Sequence, residues 1–137
     1  MPDLKERAIA LLSSTVIADL NAAATTKLYS VPAGKILIPT QIVVHSNGGT
    51  LVASGTMDIN YGGGADSATP VWVDAHAGLE DMTATGDFYI ITADDNENIV
   101  IDGDAGTPAD REFSLTVVTG SDANGATFDL FGYLIDS

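Results

Sequence analysis

Two carboxylates set two residues apart in a glycine-rich turn, Asp102-Gly103-Asp104-Ala105-Gly106, are the residues of this chain best spaced to hold a cation. Asp94, Asp95 and Glu97 lie just upstream. Calcium takes roughly six to eight oxygens, which loop carboxylates and carbonyls can supply. The pattern departs from an EF-hand loop, because the acid at the last loop position is missing and no flanking helices are expected. The plainer expectation is a solvated acidic hairpin. Asp102 and Asp104 are therefore the residues a calcium ion would use, and no other cofactor or metal is expected.

The remaining candidates for chemistry are sparse. His45 and His76 are the chain's two histidines, and Asp74-x-His76 has a metal-like look without a spaced third ligand. Hydrogen-bonded or surface histidines are the simpler reading. The absence of cysteine removes thiol nucleophiles, thiolate metal sites and disulfides, and it favours intracellular synthesis. No Gly-x-Ser-x-Gly elbow occurs. Gly62-Gly63-Gly64 lacks the lysine and following helix of a phosphate loop. A glycosidase-type carboxylate pair needs only geometry, yet such clefts are usually lined by aromatics and Trp72 is the one tryptophan. The expectation is a protein with no enzymatic activity and no catalytic residues.

Charge narrows the partners. The formal net charge is −14 over 137 residues, and residues 36–110 hold twelve Asp or Glu with no Lys or Arg. Phosphate backbones and anionic membrane surfaces are repelled by such a surface, so neither nucleic acid nor membrane is an expected partner. The opening MPDLKERAIALL carries mixed charge and too brief an apolar run for a membrane span or a signal peptide. Apolar residues make up 45% of the chain, enough for a globular core in one domain.

These residues must be positioned by short elements. Asp3 and Glu6 resemble a capping box, and Leu4, Ala8, Leu11 and Leu12 follow at helical spacing. The expectation is a short helix over the first dozen residues, within an N-terminal arm spanning 1–26. Four of the five basic residues (Lys5, Arg7, Lys27 and Lys35) precede position 36, so this end is electrostatically unlike the rest. From position 15 the period changes to two. Strands are expected at 15–20, 27–31, 35–45, 51–59, 71–73, 88–92, 98–102, 112–119 and 126–135, with a glycine-rich loop at 61–70 and one helical turn within 74–87. Asn47-Gly48 marks a hairpin turn. Pro39 has no N–H to give a ladder, which places its strand at an edge or at a bulge. In that strand Ile36, Ile38, Thr40, Ile42 and Val44 are expected on one face. Spacings of this kind signal an all-β, antiparallel β-sandwich of about eight strands over residues 27–137.

Two late strands carry apolar residues on both faces. Phe113, Leu115 and Val117 point inward on one, and Phe128, Leu130, Gly132 and Leu134 share a face on the other. Tyr89, Phe131, Tyr133 and Ile135 fall on opposite faces, so the outer side of the sandwich must be covered. The cover is either the N-terminal helix or a neighbouring subunit. The candidate interface is Leu4, Ala8, Leu11, Leu12, Phe131, Tyr133 and Ile135.

The segment Leu28-Tyr29-Ser30-Val31-Pro32-Ala33-Gly34-Lys35, followed by an Ile/Val strand, resembles the opening of small β-sandwich proteins encoded by tailed phages. The ending Phe128-Asp129-Leu130-Phe131-Gly132-Tyr133-Leu134 is similar to the last strand of such chains. They include head decoration, or cement, proteins. The resemblance covers residues 27–135 and implies a jelly-roll-like sandwich that assembles as a homotrimer on the outside of a capsid, against the major capsid protein, after synthesis in the host cytoplasm. It transfers no functional residue one by one. The same pattern occurs in fibre and tail parts, so the alternative is a carbohydrate- or calcium-binding module of such an assembly.

Overall fold

Pro39 organises the first long strand, and through it one whole sheet. The computed structural model describes residues 9–51, 57–94, 99–120 and 124–137. Nine strands are present among them: β1 (Ala10–Ile17), β2 (Thr25–Ser30), β3 (Lys35–His45), β4 (Asp58–Gly63), β5 (Val71–His76), β6 (Tyr89–Ile91), β7 (Ile101–Asp102), β8 (Glu112–Thr119) and β9 (Ala126–Asp136). Single 3-10 turns lie at Gly78–Asp81 and Pro108–Arg111. The fold is all-β, built as two antiparallel sheets. One runs β1-β9-β3-β6 with β7 also on β3, and the other runs β2-β8-β4-β5.

β3 is central rather than an edge, and Pro39 is accommodated by a bulge. The β3–β9 register slips between Pro39 and Gln41. On the other side of β3, β7 pairs Ile36 and Leu37 while β6 pairs Ile42 to Val44, so neither asks Pro39 for a hydrogen bond. The slip inverts the alternation. Leu37 and Pro39 point inward before it, Ile42 and Val44 after it. Ile36 and Ile38 therefore do not share a face with Ile42 and Val44, contrary to strict period-two reading.

The expected helix does not extend through Leu11 and Leu12. Residues 10–17 form β1, which pairs antiparallel with β9 from Ala10↔Gly132 to Ile17↔Ala126. Isolated short helices are marginal in water, whereas the Ser-Thr-Val-Ile end of this segment suits a strand and completes the hydrogen bonds along β9. Leu11 then faces outward and Leu12 packs partly against the core. Leu4 and Ala8 lie outside the described residues, as do residues 52–56, 95–98 and 121–123.

The glycine-rich loop is likewise shorter than expected, since Gly62 and Gly63 belong to β4. The chain at Ser67 to Pro70 folds directly onto them, leaving no space for side chains. The core between the sheets holds Trp72, Tyr61, Phe113, Phe128, Leu37, Ile42, Leu115 and Leu130, all buried. Trp72 and Phe113 meet edge to face with centroids 5.5 Å apart, a favoured aromatic geometry.

Candidate interaction surface

The acidic turn is used for folding. Asp102 Oδ1 accepts the Asp104 N–H at 2.9 Å, and Asp104 Oδ1 accepts the Gly34 N–H at 3.0 Å. Asp104 Oδ2 takes the Ser137 hydroxyl at 3.0 Å. These carboxylates staple the β7 turn to the start of β3 and the end of β9. Arg111 joins the same region, donating from Nε to the Ala105 carbonyl at 2.6 Å. Among the described residues, no three His, Cys, Asp or Glu side chains converge as a metal would need. No helix among them is long and apolar enough to cross a membrane.

The two histidines are separated. His45 Nε2 donates to Asp129 Oδ2 at 2.7 Å across β3 and β9, while its Nδ1 meets the Ser46 hydroxyl at 2.8 Å. His76 ends β5 and is wedged between two tyrosines, 5.7 Å from Tyr61 and 5.3 Å from Tyr89 between centroids. Burial pulls the His76 pKa below its ordinary value, and the nearby Asp94 charge opposes that shift. Burial, and then the neighbouring Tyr89, holds the Tyr61 phenol above its ordinary range.

The largest organised feature is the outward face of the sheet β1-β9-β3-β6. Register places its side chains in rows. Leu11, Phe131 and Gln41 form one, Ile38 and Tyr133 the next, and Ile36 and Ile135 a third. Towards the other end, Asp129 lies between Ser14 and Val43, with Ile90 of β6 beyond, and Thr127 lies between Val16 and His45. Leu11 is 54% exposed, Val16 73% and Ile90 48%, while Phe88, just before β6, is 67% exposed. Phe131, Tyr133 and Ile135 are half-buried by their row neighbours. The one carboxylate in mid-face, Asp129, is paired with His45. On a chain of net charge −14 this face is largely apolar, with Asp129 in its middle and Asp102 at its margin beside Ile36.

The sequence reading named Leu11, on a helix, and Phe131, Tyr133 and Ile135, on a strand, as interface candidates; the register sets these four on one sheet face. It also adds Ile36, Ile38, Val43, Val16 and Ile90, which sequence reasoning missed. The signal for the first two was Pro39, since a bulge there moves them to the side opposite Ile42.

The fold and surface define a two-sheet antiparallel β protein with an apolar outward face on one sheet. No family model and no curated protein matches the chain. Among solved structures it is similar to a chain of the capsid of Ralstonia phage GP4, at 14% identity and a TM-score of 0.48, covering 90% of this chain and 82% of that one. It is also similar to a chain of the acidic stable capsid structure of Helicobacter pylori bacteriophage KHP30, at 13% identity and a TM-score of 0.42, covering 95% and 97%. At these scores neither likeness carries weight for the role of this chain.

Proposed function

We propose that this chain is a non-enzymatic structural protein of a phage virion, a decoration protein that sits on the outside of the capsid and adds contacts between capsid subunits. The observation that carries the reading is the outward face of β1-β9-β3-β6. Several large apolar side chains stand there exposed, and the Asp129 carboxylate is hydrogen-bonded to His45. Burying a large apolar side chain is worth about 1.5–3 kcal/mol, so a few of them suffice for firm docking. Acidic residues such as Glu80 and Asp81 lie in a turn outside the sheet, and Asp102 stands at the β7 margin of the face, beside Ile36. They keep the free protein soluble and discourage random association.

The resemblance of residues 28–35 and 128–134 to phage decoration proteins supplies the trimer, the major capsid protein as partner and the jelly-roll-like topology. Strand order supports the topology. Leaving β7 aside, successive strands alternate between the sheets in pairs, so β1 and β2, β3 and β4, β5 and β6, and β8 and β9 each straddle the core. Repeated placement on a symmetric shell turns modest single contacts into high avidity.

The test is to mix the purified protein with shells of its own phage that lack it. Saturable, stoichiometric binding and added resistance of the shells to heat or low salt are expected. Leu11→Asp, at an exposed position, is expected to weaken binding at least tenfold, roughly the effect of losing one apolar contact. No binding to the shells would overturn the reading.

A further inference from the structure

A cavity of about 340 Å³ opens between β5 and β6, where the edges of the two sheets part. Val73 and His76 form one wall, and residues 89–94 form the other. Its aromatic side is fixed by packing, because His76 is held between the Tyr61 and Tyr89 rings. Gly78 lies against both His76 and Tyr89. A Cβ there would stand 2.7 Å from His76 Nε2 and 2.5 Å from Tyr89 Cζ, so only glycine lets these groups converge. Asp94 is anchored at the opposite end. Its Oδ2 accepts the Asp74 N–H at 2.9 Å, and its own N–H donates to the Trp72 carbonyl at 3.2 Å.

The result is a hollow with the His76 and Tyr89 rings on one side, aliphatic side chains around it and one carboxylate pinned in place. Among the described residues no basic side chain pairs with Asp94. The sequence offers none nearby, since residues 36–110 lack Lys and Arg altogether. We propose that this cavity is a socket for one cationic side chain, a lysine or arginine of a partner protein.

The chemistry selects that occupant over others. A cation gains from the fixed carboxylate and from the Tyr89 ring that lines the hollow, where cation–π attraction is worth about 0.5–2 kcal/mol. Because Asp94 and the rings are already held, little ordering is lost on binding. An anion is repelled by Asp94 and by the net charge of the chain. A neutral sugar would leave the Asp94 charge unmatched. The socket also borders the proposed docking face, for Ile90 lines the cavity and belongs to that face. A partner lying across the face has the hollow at its margin. The socket does not depend on that partner being a capsid protein.

The experiment is an NMR titration of the intact protein with N-acetyl-arginine amide and N-acetyl-lysine amide. N-acetyl-citrulline amide serves as the uncharged near-isostere, and putrescine as a free diamine. Millimolar, saturable shifts at His76, Tyr89 and Val73 are expected with the two cationic amides. They should weaken several-fold when salt is raised from low to high concentration, and vanish with citrulline. Asp94→Asn, which keeps an acceptor for the Asp74 N–H, is expected to abolish binding. No saturable shift in the wild-type protein, equal shifts with citrulline, or undiminished binding by a folded Asp94→Asn variant would each overturn the proposal. Tighter binding of putrescine than of either amide would overturn the assignment to a protein side chain. The titration uses no shells, so its failure would leave the capsid reading standing, and failure on shells would leave the socket standing.

Discussion

Asp94 grips Asp74 across the seam between the sheets. The carboxylate that follows β6 accepts the backbone N–H of a β5 residue at 2.9 Å, while the Asp94 N–H binds the Trp72 carbonyl at 3.2 Å. β5 is the edge of its own sheet, and unpaired edges invite pairing with other chains. Asp94 satisfies two of its groups as a further strand would. Asp94→Ala removes the acceptor, and a lost hydrogen bond of this kind is expected to cost about 1 kcal/mol. Urea unfolding checks this as a lower midpoint with an unchanged slope. Asp94→Asn is expected to retain most of the stability, because the amide oxygen can still accept.

The close pairing beneath the Pro39 bulge makes a second prediction. Gly132 of β9 is buried opposite Pro39, and a Cβ there would lie 2.5 Å from the Ile38 carbonyl oxygen and 3.2 Å from Pro39 Cα. Both obstacles are backbone, so relief requires the strands to separate. Gly132→Ala is expected to destabilise the protein by about 1–3 kcal/mol through overpacking. Thermal unfolding followed by circular dichroism would register it as a lower Tm. An unchanged Tm would mean that the bulge yields.

A third prediction concerns pH. Burial lowers the His76 pKa below its ordinary 6.5, with the Asp94 charge working against this. The folded protein thus binds the proton less tightly than the unfolded chain. Stability is fully present above the unfolded value and is lost as pH falls through it towards the folded value. The ring faces Tyr61 on β4, Tyr89 on β6 and the Asp94 carboxylate, and no second imidazole shares the site. Unfolding free energy is therefore expected to begin to drop as pH falls through the ordinary value of 6.5. His76→Gln is expected to flatten that slope. An equal slope in the variant would assign the acid sensitivity to other groups.

How much of this was legible in the sequence depends on how locally each feature is encoded. β8 and β9 are read correctly because one face of each is buried along its length. Phe113, Leu115 and Val117, and Phe128 and Leu130, therefore keep a clean period of two. β1 is misread because Leu4, Ala8, Leu11 and Leu12 satisfy a helical spacing, while the partner that makes residues 10–17 a strand lies more than a hundred residues away on β9. The face of Ile36 and Ile38 is misassigned because Pro39 announces either an edge or a bulge, and only pairing with β9 decides between them. For the Asp102–Asp104 pair the spacing shows the local bond from the Asp104 N–H to Asp102, but not the bonds that Asp104 accepts from Gly34 and Ser137, which depend on the meeting of distant chain segments. The hollow beside His76 is not legible at all, since Tyr61, His76 and Tyr89 come from three strands with no common spacing.

The outward sheet face yields the last prediction. Leu11 and Phe131 are cross-strand neighbours on β1 and β9. If like copies associate through this platform, they do so against the mutual repulsion of chains each carrying −14. Salt screens that repulsion, with a Debye length of about 8 Å at physiological ionic strength, and leaves apolar burial intact. The native mass is therefore expected to be that of a trimer at physiological salt, with dissociation favoured at low salt. This is the opposite of the dependence expected for the cation socket. Leu11→Asp with Phe131→Asp would place two further charges on the platform and is expected to give a folded monomer at every salt concentration. Light scattering across a salt series checks both points. A wild-type monomer throughout would assign the face to an unlike partner alone, and a trimer that survives the double substitution would move the self-contact to another surface.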